Sequence, residues 1–347
     1  MLKKILLLSV VSVMTSHVVF SSEFAAADRG RELAVTPQER TQIINELLRA
    51  DAAKNKEKVI EILNEQKEVL LSEINLLLDF VCYYGLLDYL RSIIITEINE
   101  DQINLCARSA AEGGHVDVLD FVLAEAQRRG IKIITRSIYE KATRKGHLHI
   151  LWHLARRPHG LSAPTQADVS SAFGWAAAYN HKHILMYLLN PSNGLPLPDQ
   201  VAVNWAFGVS AMHDRSTMMY LLNESDKIGL PNESGTNEAF THALMYARFE
   251  SLRYILGRPK NIPLPNQEKI NNYYKQIVEN KFYVYYTNEI DERMNPEDRA
   301  EAISILRPHV SPELVRQFEP DFIPPQKKKK SILGGALWGS NQPVAVR

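Results

Sequence analysis

A repeat constrains this chain more than any other feature. The stretch AAEGGHVDVLDFVL, Ala110 to Leu123, joins two small residues and a Gly-His step to an apolar i, i+3, i+4, i+7 stripe. That is the pattern of a helix end, a tight turn and a second amphipathic helix. With His115 as anchor, equivalent positions fall at Lys56, Leu86, His147, His181, Asp214, Arg248 and Lys281. Including His115, the successive separations are 30, 29, 32, 34, 33, 34 and 33 residues. A period near 33 describes helical hairpins that bury their apolar faces against their neighbours.

The columns hold this register together. Three and four residues past each anchor stand Val59/Ile60, Tyr89/Leu90, Val118/Leu119, Ile150/Leu151, Ile184/Leu185, Thr217/Met218 and Ser251/Leu252. Seven past stand Leu63, Ile93, Val122, Leu154, Leu188, Leu221 and Ile255, so one face is expected to be buried in every unit. Five before, the column is small: Val81, Ala110, Ala142, Ala176, Val209, Ala243. Small side chains there let helices of adjacent hairpins approach closely. One before, Asn55, Gly85, Gly114, Gly146, Asn180 and Asn280 are residues that tolerate the left-handed conformation ending a helix; His213 and Ala247 are the exceptions.

At these residues the sequence resembles the ankyrin repeat, most closely in Ala110 to Leu123 and Lys141 to Leu154, and more weakly in Ala176 to Leu189. The resemblance covers roughly residues 50 to 290. It implies an all-α, ankyrin-like helical-hairpin solenoid of about seven to eight repeats with helical caps. The chain departs from the family in two ways, since neither a Thr-Pro-Leu-His opening nor a Gly-Ala-Asp hairpin occurs. Its linkers share another signature instead: Pro164-Thr165-Gln166, Pro198-Asp199-Gln200, Pro231-Asn232-Glu233 and Pro265-Asn266-Gln267. Pro, then a Thr, Asp or Asn N-cap, then Gln or Glu marks a helix start, so the first helix of each unit should begin early and run long.

The remaining segments are assigned around the array. Residues 1–27 read as a signal peptide, with Lys3 and Lys4 ahead of the apolar run Ile5 to Met14, too short to span a bilayer. Residues 28–35 read as a linker and 36–290 as the solenoid, opened by the capping box Thr36-Pro37-Gln38-Glu39. Lys281 to Tyr286 suits a degenerate helix or a short strand. Residues 291–318 hold two helix starts, Asn295-Pro296-Glu297 and Ser311-Pro312-Glu313, expected to cap the stack. Residues 319–347 are expected to be a disordered basic tail, with Lys327 to Lys330 as a solvated charge run. The expected location is exported, periplasmic or secreted. Cys82 and Cys106 lie on neighbouring first helices about five residues out of register, roughly 7 Å along the axis, which predicts two buried free thiols rather than a bridge.

Forty basic residues balance forty acidic ones, so the net charge points neither to nucleic acid nor to a membrane surface. No nucleophile-base arrangement, phosphate loop or carboxylate pair forms a recognisable motif, and no cofactor is expected. Histidine is the one candidate for metal chemistry, because His149 and His153 are i, i+4 on a helix with His183 in the next unit. The same column elsewhere holds Asp88, Asp117, Ser216 and Glu250, which reads as a solvated face. The resemblance implies that His115, His147 and His181 serve local hydrogen bonding at the turns.

The resemblance also implies that residues ending the first helices face a partner. Here those are Tyr83, Tyr84, Arg144, Lys145, Tyr179, Met212, Met245 and Tyr246, of types that interfaces enrich. The resulting expectation is a non-catalytic, exported scaffold binding a protein partner, of a host or of the envelope, through the concave face. Neither nucleic acid nor stable membrane insertion after signal cleavage is expected. A short apolar signal before an ankyrin-like array looks like proteins of host-associated bacteria. Two alternatives are a periplasmic structural or assembly protein, and a metal-binding protein or enzyme using the histidine column.

Overall fold

The computed structural model describes residues 36–94, 98–213, 215–285 and 292–318. The segments read as signal peptide (1–27), linker (28–35) and tail (319–347, with Lys327 to Lys330), and also the anchor Asp214 and Tyr286, lie outside them. The described part is all-α apart from one two-stranded ribbon.

Helix starts follow the local chemistry. Thr36 Oγ1 accepts the Glu39 N–H (3.2 Å) and Glu39 Oε2 accepts the Thr36 N–H (2.8 Å), opening α1, Pro37–Ala52. Short helices come next: α2, Lys56–Glu65, α3, Lys67–Leu71, α4, Ile74–Tyr83, and α5, Leu87–Ile94. Then come α6, Glu100–Gly113, α7, Val116–Arg129, α8, Thr135–Lys145, and α9, Leu148–Ala155. The Pro-Asx/Thr-Gln/Glu signature opens α10, Gln166–Ala178, and α12, Gln200–Ser210, which alternate with α11, Lys182–Leu188, and α13, Arg215–Asn223. After one turn, α14, Ser225–Ile228, it opens α15, Glu233–Met245, which pairs with α16, Phe249–Leu256. The fourth copy opens α17, Gln267–Val278. Thr165, Asp199, Asn232 and Asn266 are the N-caps, each accepting a backbone N–H one turn on.

The first helices of the hairpins, α4, α6, α8, α10, α12 and α15, pack in chain order into one close row, and the second helix of each hairpin packs on its own partner. Small residues permit the close approach. Val81, Ala110, Ala142, Ala176 and Ala243 are fully buried. A β-carbon on Gly174 would run into the Trp205 ring, and one on Gly208 would meet Glu238 at 2.7 Å. The second-helix column is buried as expected, from Leu63 and Ile93 through Val122, Leu154, Leu188 and Leu221 to Ile255.

The turns correct the register in one place. The left-handed residues at the turns inside the hairpins are Lys54, Gly85, Gly114, Gly146, Asn180, Ala247 and Asn280. In the first hairpin, then, Lys54 and not Asn55 turns the chain, and Asn55 caps α2 through its side chain. The anchor there is Asn55, one residue before Lys56, and Val59, Ile62 and Leu63 form the buried stripe. In the α12–α13 turn, which His213 marks as an exception in the sequence, none of the described residues is left-handed, and the N–H groups of Ala211, Met212 and His213 donate to the carbonyls of Gly208, Val209 and Ser210.

Two polar ladders tie the α6 hairpin and those from α10 onward to their successors. Asn104 Oδ1, Ser170 Oγ, Asn204 Oδ1 and Asn237 Oδ1 accept the N–H of Ile134 (2.9 Å), Asp199 (2.9 Å), Asn232 (3.0 Å) and Asn266 (2.7 Å), the N-cap residues of later helices. Beside them, Gln166 and Gln200 donate to the carbonyls of Leu197 (3.2 Å) and Leu230 (3.0 Å) in the next linker. This explains the linker signature. Each Pro-X-Gln starts a helix and supplies the amide that holds the next start.

After α17 the chain forms β1, Tyr283–Val284, paired antiparallel with β2, Glu292–Arg293, then α18, Pro296–Leu306, and α19, Pro312–Phe318. The stretch Lys281 to Tyr286 is therefore a strand at Tyr283–Val284. α18 packs against α16 and α17, in the place of a second helix. α19 repeats the ladder: Gln267 donates to His309 O (2.8 Å) and Asn271 Oδ1 accepts the Ser311 N–H (3.1 Å). Its start thus occupies the position of a further first helix.

Cys82 on α4 and Cys106 on α6 are fully buried and free. Despite the axial offset their thiols are hydrogen-bond partners, and burial, with this contact, pushes the Cys82 thiol well up. The offset keeps them from being opposite one another, but it does not keep the sulfurs apart.

Candidate interaction surface

The turn histidines are occupied by the fold. His147 Nε2 lies 3.0 Å from Glu112 O, His181 Nε2 3.2 Å from Arg144 O, and His213 Nε2 2.8 Å from Ala178 O. A carbonyl only accepts, so in each ring Nε2 carries the proton. His115 bonds the Tyr83 backbone in the same way, and burial holds His115, His147 and His181 below the ordinary histidine range. The rings rest on the preceding turn. A β-carbon at Gly85 would meet His115 at 2.5 Å, one at Gly114 would meet His147 at 2.8 Å, and one at Gly146 would meet His181 at 2.9 Å.

The histidine column is not brought together as a metal site. His149 Nε2 bonds Gly114 O (2.8 Å), His183 Nε2 bonds Gly146 O (3.2 Å), and His153 lies 3.1 Å from Asp120. Among the described residues no group of three or more His, Cys, Asp or Glu side chains could hold a metal ion.

What the fold does bring together is a strip across the exposed side of α8, α10, α12 and α15. The Arg144 guanidinium lies 4.9 Å from the Trp175 ring and 5.6 Å from that of Tyr179. Its Nε and an Nη both donate to the Tyr179 hydroxyl, at 3.3 and 3.1 Å. Trp175 meets Trp205 edge to face at 5.2 Å. Trp205 lies on Gly174, and one turn further along α12 the Glu238 side chain lies on Gly208. These contacts make a continuous surface, and Arg144, Trp175, Trp205 and Glu238 are all half-buried.

The two ends of the strip differ in charge. At the α8 end Lys141 and Lys145 both pair with Glu112, at 2.5 and 3.4 Å. Burial alone raises the Glu112 carboxyl, but the two lysines hold it below the usual range. At the α15 end Glu238 borders a cavity of about 610 Å³ lined also by Glu233, Asn237, Thr241, His242 and Lys269. His242 Nδ1 is turned to Gly208 O (3.0 Å) and Lys269 donates to Thr241 (3.2 Å). Burial pushes the Glu238 carboxyl up, against the smaller opposing effect of His242 and Lys269.

The residues that the sequence marks as contacts are divided by the structure. Tyr179, with 42% of its surface exposed, belongs to the strip together with Arg144. Lys145 is exposed and stands 5.7 Å over the Tyr83 ring. Tyr84 turns instead to the preceding hairpin, where its hydroxyl donates to Asp51 (2.6 Å). Met212 and Met245 are half-buried, and their carbonyls accept from Arg248 (2.8 Å) and Tyr285 (2.7 Å). Tyr246 stacks on Tyr285 at 5.4 Å, away from the cluster around Arg144.

Trp175, Trp205 and Glu238 are not marked by the repeat columns. A signal exists in Gly174 and Gly208, small residues inside helices, on which the next helix lays a large side chain. No protein-family model matches this chain, and no curated protein matches it.

Proposed function

We propose that this chain is an exported, non-catalytic scaffold built as a divergent ankyrin-like solenoid, and that the exposed side of its first helices holds a protein partner. One observation carries the reading. Trp175, Trp205, Tyr179 and Arg144 form a contiguous half-exposed cluster across the first helices of three successive hairpins, although the small and apolar residues by which these helices pack on one another are buried. Tryptophan, tyrosine and arginine are the types that dominate interface energetics, and here they are held in place by one another before any partner arrives.

The test is affinity capture with the full chain from envelope and host-cell extracts, read by mass spectrometry. A protein retained by the wild type and lost from Tyr179→Ala plus Trp175→Ala is the expected result, with the thermal midpoint of the variant close to wild type. Equal capture by both chains would remove the strip from the binding site.

A further inference from the structure

We propose that the strip recognises an extended peptide segment whose side chains run from acidic, through aromatic or apolar, to basic; this rests on the protein-binding reading above. The order of groups on the surface supports it. At α8 stand Arg136, Lys141, Arg144 and Lys145 against the carboxylates of Glu112 and Glu140, a surplus of positive charge. The middle, over α10 and α12, is uncharged and aromatic, with Trp175, Tyr179 and Trp205. At α15 Glu233 and Glu238 border the cavity, and Lys269 is drawn to Thr241.

The donors and acceptors agree with that order. Tyr179 accepts two N–H groups from Arg144, so its own O–H points elsewhere, toward a partner's carboxylate or carbonyl. Glu238 is half-desolvated, and its cavity gives a partner's lysine or arginine a place to enter. A uniformly anionic partner, whether a nucleic acid or an anionic lipid surface, would meet repulsion at Glu233 and Glu238. The charge order therefore selects a protein segment.

Its length is set by the packing. Four helices at about 8–10 Å spacing span about 24–30 Å. An extended chain advances about 3.3 Å per residue, so about seven to nine residues cross the strip. One acidic and one basic residue at that separation, with a large apolar residue between them, is the minimal match.

A random dodecapeptide library displayed on phage, panned on the immobilised full chain, tests this. Wild type should enrich peptides with Asp or Glu near one end, Lys or Arg near the other and an aromatic or Leu between. A selected peptide should lose at least tenfold in affinity against Arg144→Glu and against Glu238→Lys, and panning on Arg144→Glu should enrich basic residues at both ends. Should Arg144→Glu fail to fold, Glu238→Lys carries the comparison by enriching acidic residues at both ends. Enriched peptides without the charge order, affinities unmoved by either substitution, or no enrichment on wild type would each overturn the proposal. Peptides lacking the order but lost on Tyr179→Ala plus Trp175→Ala would leave the protein-binding reading standing and remove only this refinement.

Discussion

At Gly85, Gly114 and Gly146 the hairpins of the first half turn on glycine, and the next unit's histidine ring lies directly on that glycine. In the second half Ala247 and Asn280 take the same left-handed conformation while carrying a β-carbon, at φ 48 and 55. The donor changes too. Where His147 and His181 reach back to the preceding carbonyl, Arg248 Nε does so to Met212 O at 2.8 Å. The inter-hairpin bond is thus made by a neutral ring packed on glycine at His147 and His181, by the His213 ring to Ala178 O at 2.8 Å, and by a permanent cation at Arg248. The ring version depends on pH; the cation version stands beside a strained backbone but is indifferent to pH.

The largest effect should come from filling a glycine under a ring. Gly85→Ala forces a β-carbon to 2.5 Å from His115 in a left-handed backbone, and should destabilise by about 2–4 kcal/mol, combining backbone and overpacking costs. Urea unfolding would measure it, and a neutral result would show that the ring is free to move away. Overpacking the close row elsewhere is next. Ala142→Leu, at a position with no exposed surface, should cost about 1–3 kcal/mol in the same assay. In the second half the sign should reverse, since Ala247→Gly relieves a strained β-carbon and should stabilise by up to about 1 kcal/mol.

The smallest and most selective effect is expected from pH. His115, His147 and His181 have folded values lowered by burial, whereas the unfolded chain titrates near 6.5. Between those values the unfolded state binds more protons, so stability falls as pH drops below about 6.5. Hydrogen-exchange protection factors, taken relative to the intrinsic rate at each pH, should fall on acidification in α6 to α11 more than in α15 and α16, and His147→Gln should blunt the difference. A uniform fall in protection along the array would contradict the contrast.

The helical class and the buried column are readable from sequence because apolar spacing and small residues repeat, and packing depends on just these properties. The N-caps Thr165, Asp199, Asn232 and Asn266 are readable because capping is local. The one-residue slip at Lys54 and the left-handed Ala247 escape, because both adopt a backbone that their side chains do not advertise. The strip is half visible. Arg144 and Tyr179 lie at helix ends marked by the turn, but Trp175, Trp205 and Glu238 lie within helices and meet only through contacts between units. Met212 and Met245 are marked by their type, and the carbonyl bonds that tie them to neighbouring hairpins have no signal in the sequence.

The ladder of Asn104, Ser170, Asn204, Asn237 and Asn271 runs one way: in the α6 hairpin, and in each unit from α10 to α17, a side chain of the first helix accepts from the backbone start of the next first helix. The array is therefore directional, like a polymer with unlike ends. Loss of the last link leaves only a polar side chain in water. Loss of an earlier one removes the template on which the next helix is begun. Fraying should accordingly proceed more readily from α19 backward than from α1 forward, and growth of the folded array during synthesis runs in the same direction as the chain emerges.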